Sequence, residues 1–167
     1  MGKPVHPLPP GSTIGILGGG QLGRMLALAA ARLGLKSHIY SDEPGPAFDV
    51  ASAETVGDYQ DREALQRFAR RVDVATYEFE NVPVDAAEHL AGLVPVRPGA
   101  RALAVAQDRL EEKTFISGLG IAVAPFARID GERDLAPALE GFTGPAILKT
   151  RRLGYDGKGQ VPVAPGD

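Results

Sequence analysis

The stretch TIGILGGGQLGRML, Thr13–Leu26, decides the architecture of this chain. A short apolar segment, Thr13–Leu17, passes through Gly18, Gly20 and Gly23 into a second apolar segment of different period. Glycines spaced G-x-G-x-x-G between a strand and a helix allow a tight turn, close approach of a ligand to the backbone and close helix–strand packing. Leu22, Met25, Leu26, Ala29 and Leu33 then share one face of a helix over 21–33, the 3.6-residue period of a helix. Gly34 stands where a left-handed helix stop is expected. The stretch predicts a strand–loop–helix unit with a ligand at its switch point, a packing role for the glycines being the alternative. A dinucleotide would also need an acidic residue at the end of the second strand, and Asp42 is close to that place.

The remaining segments continue the alternation. Ser37–Tyr40 reads as a second strand, followed by the turn-rich SDEPGPAFD. Asp61 is suited to cap a helix over 62–71 with Leu65 and Phe68 inward, and Val72–Tyr77 reads as a third strand. Pro83 fits the first turn of a helix ending near Gly92, Val94–Val96 reads as a fourth strand, and Pro98 opens another helix. Strands alternating with helices at this pitch predict an α/β fold with a doubly wound parallel sheet. Past Asp108 the pattern changes to a helix over 109–117, a strand over 121–126, a short helix over 134–140, and strands over 146–149 and 159–163. The last two, joined by a glycine-rich loop, are expected to pair antiparallel. The expected organisation is an extension over 1–12, a first domain over 13–117 and an incomplete second unit over 118–167.

With 167 residues, 44% hydrophobic and a net charge of −3, the chain can form one domain, or one and part of another. The acidic balance, with no basic run, argues against a nucleic-acid footprint. Lack of cysteine excludes disulfides, thiolate metal sites and a cysteine nucleophile. His6, His38 and His89 are scattered, and their spacing shows no metal cluster. MGKPVHPLPPG lacks the apolar core of a signal peptide, and no apolar run is long enough to span a bilayer. A soluble, cytoplasmic protein without membrane contact is the expectation.

Three further stretches carry chemistry. In TYEFENVP (76–83), Glu78 and Glu80 would share one face of an extended segment at the sheet's carboxyl edge. They could hold an amine or hydroxyls, although spacing alone favours a solvated pair. In QDRLEEK (107–113), Asp108 is a candidate N-cap that leaves Arg109 and Lys113 one turn apart on a helix face, free to meet phosphate or simply solvent. In ILKTRRLGYDGKGQ (147–160), Lys149 closes an apolar strand. Gly154, Gly157 and Gly159 let the backbone fold its N–H groups around an anion. Lys158 with Arg151 or Arg152 adds positive charge. A surface hairpin is the alternative, but the combination favours phosphate and points to a nucleoside triphosphate.

GILGGGQLGRML, TYEFENVP, QDRLEEK and LKTRRLGYDGKGQ, in this order between Ile14 and Val163, resemble the N-terminal part of the ATP-grasp enzymes of purine biosynthesis. Among these the resemblance is to the 5-(carboxyamino)imidazole ribonucleotide synthases, the ATPase subunit of phosphoribosylaminoimidazole carboxylase. It implies a Rossmann-like pre-ATP-grasp domain followed by the start of an ATP-grasp domain. The implied activity is a carboxylating ligase that uses ATP with Mg2+ to join bicarbonate to 5-aminoimidazole ribonucleotide. By the same resemblance Gln21 and Leu22 meet the ribonucleotide, Glu80 faces its amino-bearing end, and Arg109 and Lys149 contact ATP phosphates. Gly154, Tyr155, Asp156, Gly157, Lys158, Gly159 and Gln160 form the loop over those phosphates, and Asp42 becomes a turn residue. Catalytic residues and magnesium carboxylates are expected beyond Asp167, with no complete turnover by this chain alone and a homodimer at full length. The rival readings are a formate-dependent glycinamide ribonucleotide transformylase of the same architecture and an NAD-dependent oxidoreductase, which leaves GYDGKGQ unexplained. A folded module that only binds ribonucleotide is a third.

Overall fold

The apolar run Thr13–Leu17 becomes β1, central in a four-stranded parallel sheet. A computed structural model describes residues 7–154 and 157–164, so the expectations for Tyr155 and Asp156 lie outside the described residues. β1 pairs with β2 (Lys36–Ser41) on one side and β4 (Val74–Tyr77) on the other, and β2 pairs with β3 (Ala53–Val56), giving the order β3-β2-β1-β4. Leu17 is level with Tyr40 and Tyr77. The loops leaving β1, β2 and β4 therefore gather at one carboxyl edge, where open parallel sheets place their ligands.

In helix α1 (Gln21–Arg32) the shared apolar face is not the buried one. Leu22, Met25 and Leu33 are 54%, 58% and 71% exposed, while Gly23, Ala27 and Ala30 are buried. The small residues at i, i+4 and i+7 form a narrow stripe along which the helix backbone can lie close to the sheet. α2 (Arg62–Ala69) starts where Asp61 accepts a 2.9 Å hydrogen bond from the Ala64 amide, and it buries Leu65 and Phe68. α3 (Val84–Ala91) runs between Pro83 and Gly92. Leu17, Tyr40, Phe68, Leu90 and Val96 fill one apolar cluster, while Ile16, Ile39, Ala27 and Ala47 fill another.

Two expected strands do not form. Val94–Val96 is reduced to a single parallel bridge between Val96 and Ala75, because Pro95 has no N–H to extend the ladder. The 121–126 segment is irregular, with Ile121 56% exposed. Among the described residues it enters no strand pairing, and strand backbone needs a ladder partner. Conversely, β3 arises just past the turn-rich segment, where no strand is expected.

The chain divides into two compact units, Met1–Leu103 and Ala104–Asp167. The division lies ahead of the expected one after 117, within α4 (Ala100–Gln107). The second unit holds α5 (Arg109–Gly118), α6 (Leu135–Glu140), and the expected antiparallel pair, β5 (Ala146–Lys149) with β6 (Gln160–Val163). Asp108 caps α5, accepting from the Leu110 and Glu111 amides.

Candidate functional site

In the first unit the loop after β1 turns sharply at Gly18, whose φ of +111° is open to glycine. At Gly23 a Cβ would stand 2.8 Å from the Gly18 carbonyl oxygen, so helix and loop meet too closely for a side chain. The expected extended segment with Glu78 and Glu80 on one face is absent, because β4 ends at Tyr77 and a bend follows. Glu80 is exposed. Glu78 turns back under the loop and accepts hydrogen bonds from the amides of Gly20 (2.7 Å) and Gly23. A carboxylate at a helix N-terminus satisfies orphan amides and meets the positive end of the dipole. In dinucleotide enzymes the pyrophosphate takes this place. Here the chain's own carboxylate takes it. The Gln21 and Leu22 amides, also in the first turn of α1, have no carbonyl of the helix to bond. Asp42 is exposed beside Ser41, whose hydroxyl donates to it at 3.4 Å.

Sequence reasoning missed the role of Glu78. Its capping depends on β4 crossing to lie beside β1, a long-range pairing that local spacing does not reveal. The sequence shows only the pair Glu78 and Glu80, with nothing to say which of them turns under the loop.

The second unit assembles Arg109, Lys113 and Lys149 around one cleft of about 440 Å³, also lined by Leu110, Phe126 and Leu139. An apolar cleft with a few convergent charges is the usual form of a small-molecule site. Lys113 donates to the Ala124 carbonyl at 3.2 Å and lies 5.4 Å from the Phe126 ring centroid. Lys149, the last residue of β5, is exposed opposite Gln160 of β6. Gly154 is packed so that a Cβ would lie 2.9 Å from Thr150 Oγ1 and 3.0 Å from Arg109 Nη2. Gly157, Lys158 and Gly159 are exposed in the turn before β6, as is Gln160, its first residue.

Arg151 and Arg152, expected to add charge toward phosphate, are instead held within the unit. Arg151 forms a two-pronged pair with Asp108, Nη2–Oδ2 2.6 Å and Nε–Oδ1 3.0 Å, and Arg152 donates to Gln107 Oε1. Partial burial works to raise the Asp108 carboxyl, but hydrogen bonds from Arg151 and from the Glu111 and Leu110 amides outweigh it and hold it below its usual value. Arg109 donates to the Gly154 carbonyl through Nη2, while its Nε is buried with no hydrogen-bond partner among the described residues. An unmet buried guanidinium donor of this kind suits an anionic ligand. Magnesium is different: among the described residues no group of three or more His, Cys, Asp or Glu side chains is placed to hold a metal ion. Among them, too, no helix is long and apolar enough to cross a membrane.

A family model for the ribonucleotide synthetase preATP-grasp domain matches residues 12–107, and one for the ATP-grasp domain matches 114–165. The N5-carboxyaminoimidazole ribonucleotide synthase of Brucella melitensis is 54% identical over 94% of this chain and 44% of its own length. The crystal structure of N5-carboxyaminoimidazole ribonucleotide synthetase from Thermus thermophilus matches at a TM-score of 0.81 and 52% identity, over 90% of this chain and 40% of that one. The Aspergillus clavatus N5-carboxyaminoimidazole synthase, in complex with ADP and 5-aminoimidazole ribonucleotide, matches at 0.78 and 28% identity, over 93% and 41%. This chain thus spans less than half the length of each of these relatives. It belongs to the ribonucleotide synthetase family marked by the preATP-grasp domain, followed by the start of an ATP-grasp domain.

Proposed function

We propose that this chain supplies the ribonucleotide-binding domain and part of the ATP site of an N5-carboxyaminoimidazole ribonucleotide synthase. The observation that carries the reading is the cleft shared by Arg109 and Lys149 beside the glycine turn, in a chain 54% identical to such an enzyme. In the reaction a bicarbonate oxygen attacks the γ-phosphorus of ATP and ADP leaves. The amino nitrogen of 5-aminoimidazole ribonucleotide then attacks the carboxyl carbon of carboxyphosphate, phosphate departs and the nitrogen loses a proton. Phosphoryl transfer is catalysed mainly by positioning and charge stabilisation. Arg109 and Lys149 supply fixed positive charge, and the backbone amides of Gly154, Gly157, Lys158, Gly159 and Gln160 meet the phosphates. Covering the site keeps water from the reactive carboxyphosphate.

Gln21 and Leu22 offer their free amides to the ribonucleotide, with Glu80 and the capping Glu78 near its amino-bearing end. A carboxylate edge suits an amine better than a phosphate. The same reading gives a cytoplasmic homodimer for the whole enzyme and assigns magnesium no ligands within this stretch.

Calorimetry with the 167-residue chain tests the reading. It should bind 5-aminoimidazole ribonucleotide and, more weakly, ATP, but not NAD. Arg109→Ala and Lys149→Ala should each weaken ATP by about tenfold, the cost of one charge-assisted contact, and leave the ribonucleotide unaffected. Bicarbonate-dependent ADP release by this chain alone should be absent. Binding of NAD without binding of ATP overturns the assignment.

A further inference from the structure

One seam in the second unit joins the start of α5 to the start of the glycine turn. The Arg109 amide donates to the Arg151 carbonyl at 2.9 Å, and the Arg109 side chain donates to the Gly154 carbonyl. Gln107 accepts from Arg152. Asp108 lies at the centre of these contacts. One carboxylate caps α5 through the Leu110 and Glu111 amides, at 2.9 and 3.2 Å, and also clasps both prongs of the Arg151 guanidinium. Glu111 adds a longer approach of 3.7 Å to the same guanidinium.

Capping does not explain this choice of residue. Serine, threonine or asparagine would cap the helix as well, whereas a two-pronged hold on guanidinium needs a carboxylate. Leu153, next in the chain after Arg152, sits at φ +62° and is 69% exposed. Left-handed backbone on a leucine persists only where its flanks fix it. Those flanks are Arg152, held by Gln107, and Gly154, held by Arg109.

We propose that Asp108 is a positioning residue for the nucleotide turn, its clasp on Arg151 fixing the stem from which the turn rises and the direction of the Arg109 guanidinium. The nucleotide part of this inference rests on the functional reading above. Asp108 holds the geometry and touches no phosphate itself.

The test uses the 167-residue chain and three variants: Asp108→Ser, which keeps a cap and loses the clasp; Arg151→Gln, which leaves the cap intact; and the double variant. Amide exchange is read at 109 and over 150–154, tryptic cleavage after Arg152, and ATP binding by calorimetry. Each single variant should raise exchange over 150–154 at least tenfold and speed cleavage, while α5 protection stays near wild type. The double variant should add little to either single one, as for two halves of one contact. ATP affinity should fall about tenfold in all three. Unchanged exchange over 150–154, or additive effects, overturns the positioning role whatever ATP does. A wild-type chain with a protected turn but no ATP affinity overturns the functional reading and the nucleotide part, and leaves the hold on the turn standing. Because Arg151 is 40% exposed, Arg151→Gln folds and keeps the test decisive if Asp108→Ser does not.

Discussion

Glu78 does for the first loop what a bound phosphate does elsewhere: it gives the amides of Gly20 and Gly23 an anionic acceptor. Removing it leaves those donors exposed at the positive end of α1. Glu78→Ala should cost about 1–2 kcal/mol, the range for a lost helix cap, and Glu78→Gln less, since an amide oxygen can still accept. Glu80, exposed two residues later, should tolerate alanine within about 0.5 kcal/mol. Urea unfolding of the three variants measures this, and equal costs at 78 and 80 would defeat the capping role.

His38 gives the residue scale a second, pH-dependent signature. It is buried on β2, edge-on to Phe68 with ring centroids 4.9 Å apart, and its Nε2 is 2.9 Å from Thr55 Oγ1. Burial, then the nearby Arg71 charge, lowers its folded pKa below 6.5 against a raising hydrogen bond at Glu54. Below pH 6.5 the unfolded chain takes up a proton that the folded chain refuses, so this contribution is whole above 6.5 and falls away as pH drops toward the folded value. The stability difference between wild type and His38→Gln, followed by urea unfolding from pH 8 to 5.5, should be flat above 6.5 and shrink below it. A difference independent of pH across that range would contradict a neutral buried imidazole.

At the scale of elements, α1 separates what the sequence discloses from what it hides. Its existence and its end at Gly34 were legible, because period and a left-handed glycine (φ +72°) are local properties. Its facing was not, since hydropathy weighs Leu and Met while contact with the sheet is made by Gly23, Ala27 and Ala30. Ala27→Leu should therefore cost about 1–3 kcal/mol by overpacking, and Met25→Gln should change stability by less than about 0.5 kcal/mol. Thermal unfolding of the two variants distinguishes the faces, and the reverse order would place the Leu22–Met25 face against the sheet instead. The same locality explains the caps at Asp61 and Asp108, which were legible. Non-locality explains β3, whose Ala53–Val56 pairs only because β2 lies beside it, and 121–126, apolar yet paired with no strand among the described residues. In the candidate site, charge and glycine spacing marked Arg109, Lys149 and the glycine turn as candidates, and the structure brings Arg109 and Lys149 to one cleft. The capture of Arg151 by Asp108, 43 residues away in sequence, was not.

For the whole molecule, the two units differ most in what they bury. The first has two apolar clusters built on β1, β2 and β4. Among the described residues of the second, Leu139 is the only buried hydrophobic side chain, and its order rests on the α5 cap, the Asp108–Arg151 pair and one hairpin. Exposed ion pairs contribute little each, about 0–1 kcal/mol, so the second unit should open locally at far lower free energy than the first unfolds. Native-state hydrogen exchange should show β1, β2 and β4 amides exchanging only through global unfolding, and β5 and α5 amides exchanging orders of magnitude faster. A chain ending at Gln107 should keep the urea midpoint of the first unit, because that unit carries its own core. Saturating ATP should slow exchange selectively in the second unit, since a ligand that binds only the ordered form stabilises by RT ln(1 + [L]/Kd). If β5 and β1 amides instead exchanged at one common rate in the free chain, the second unit would owe its order to a core that its described side chains do not form.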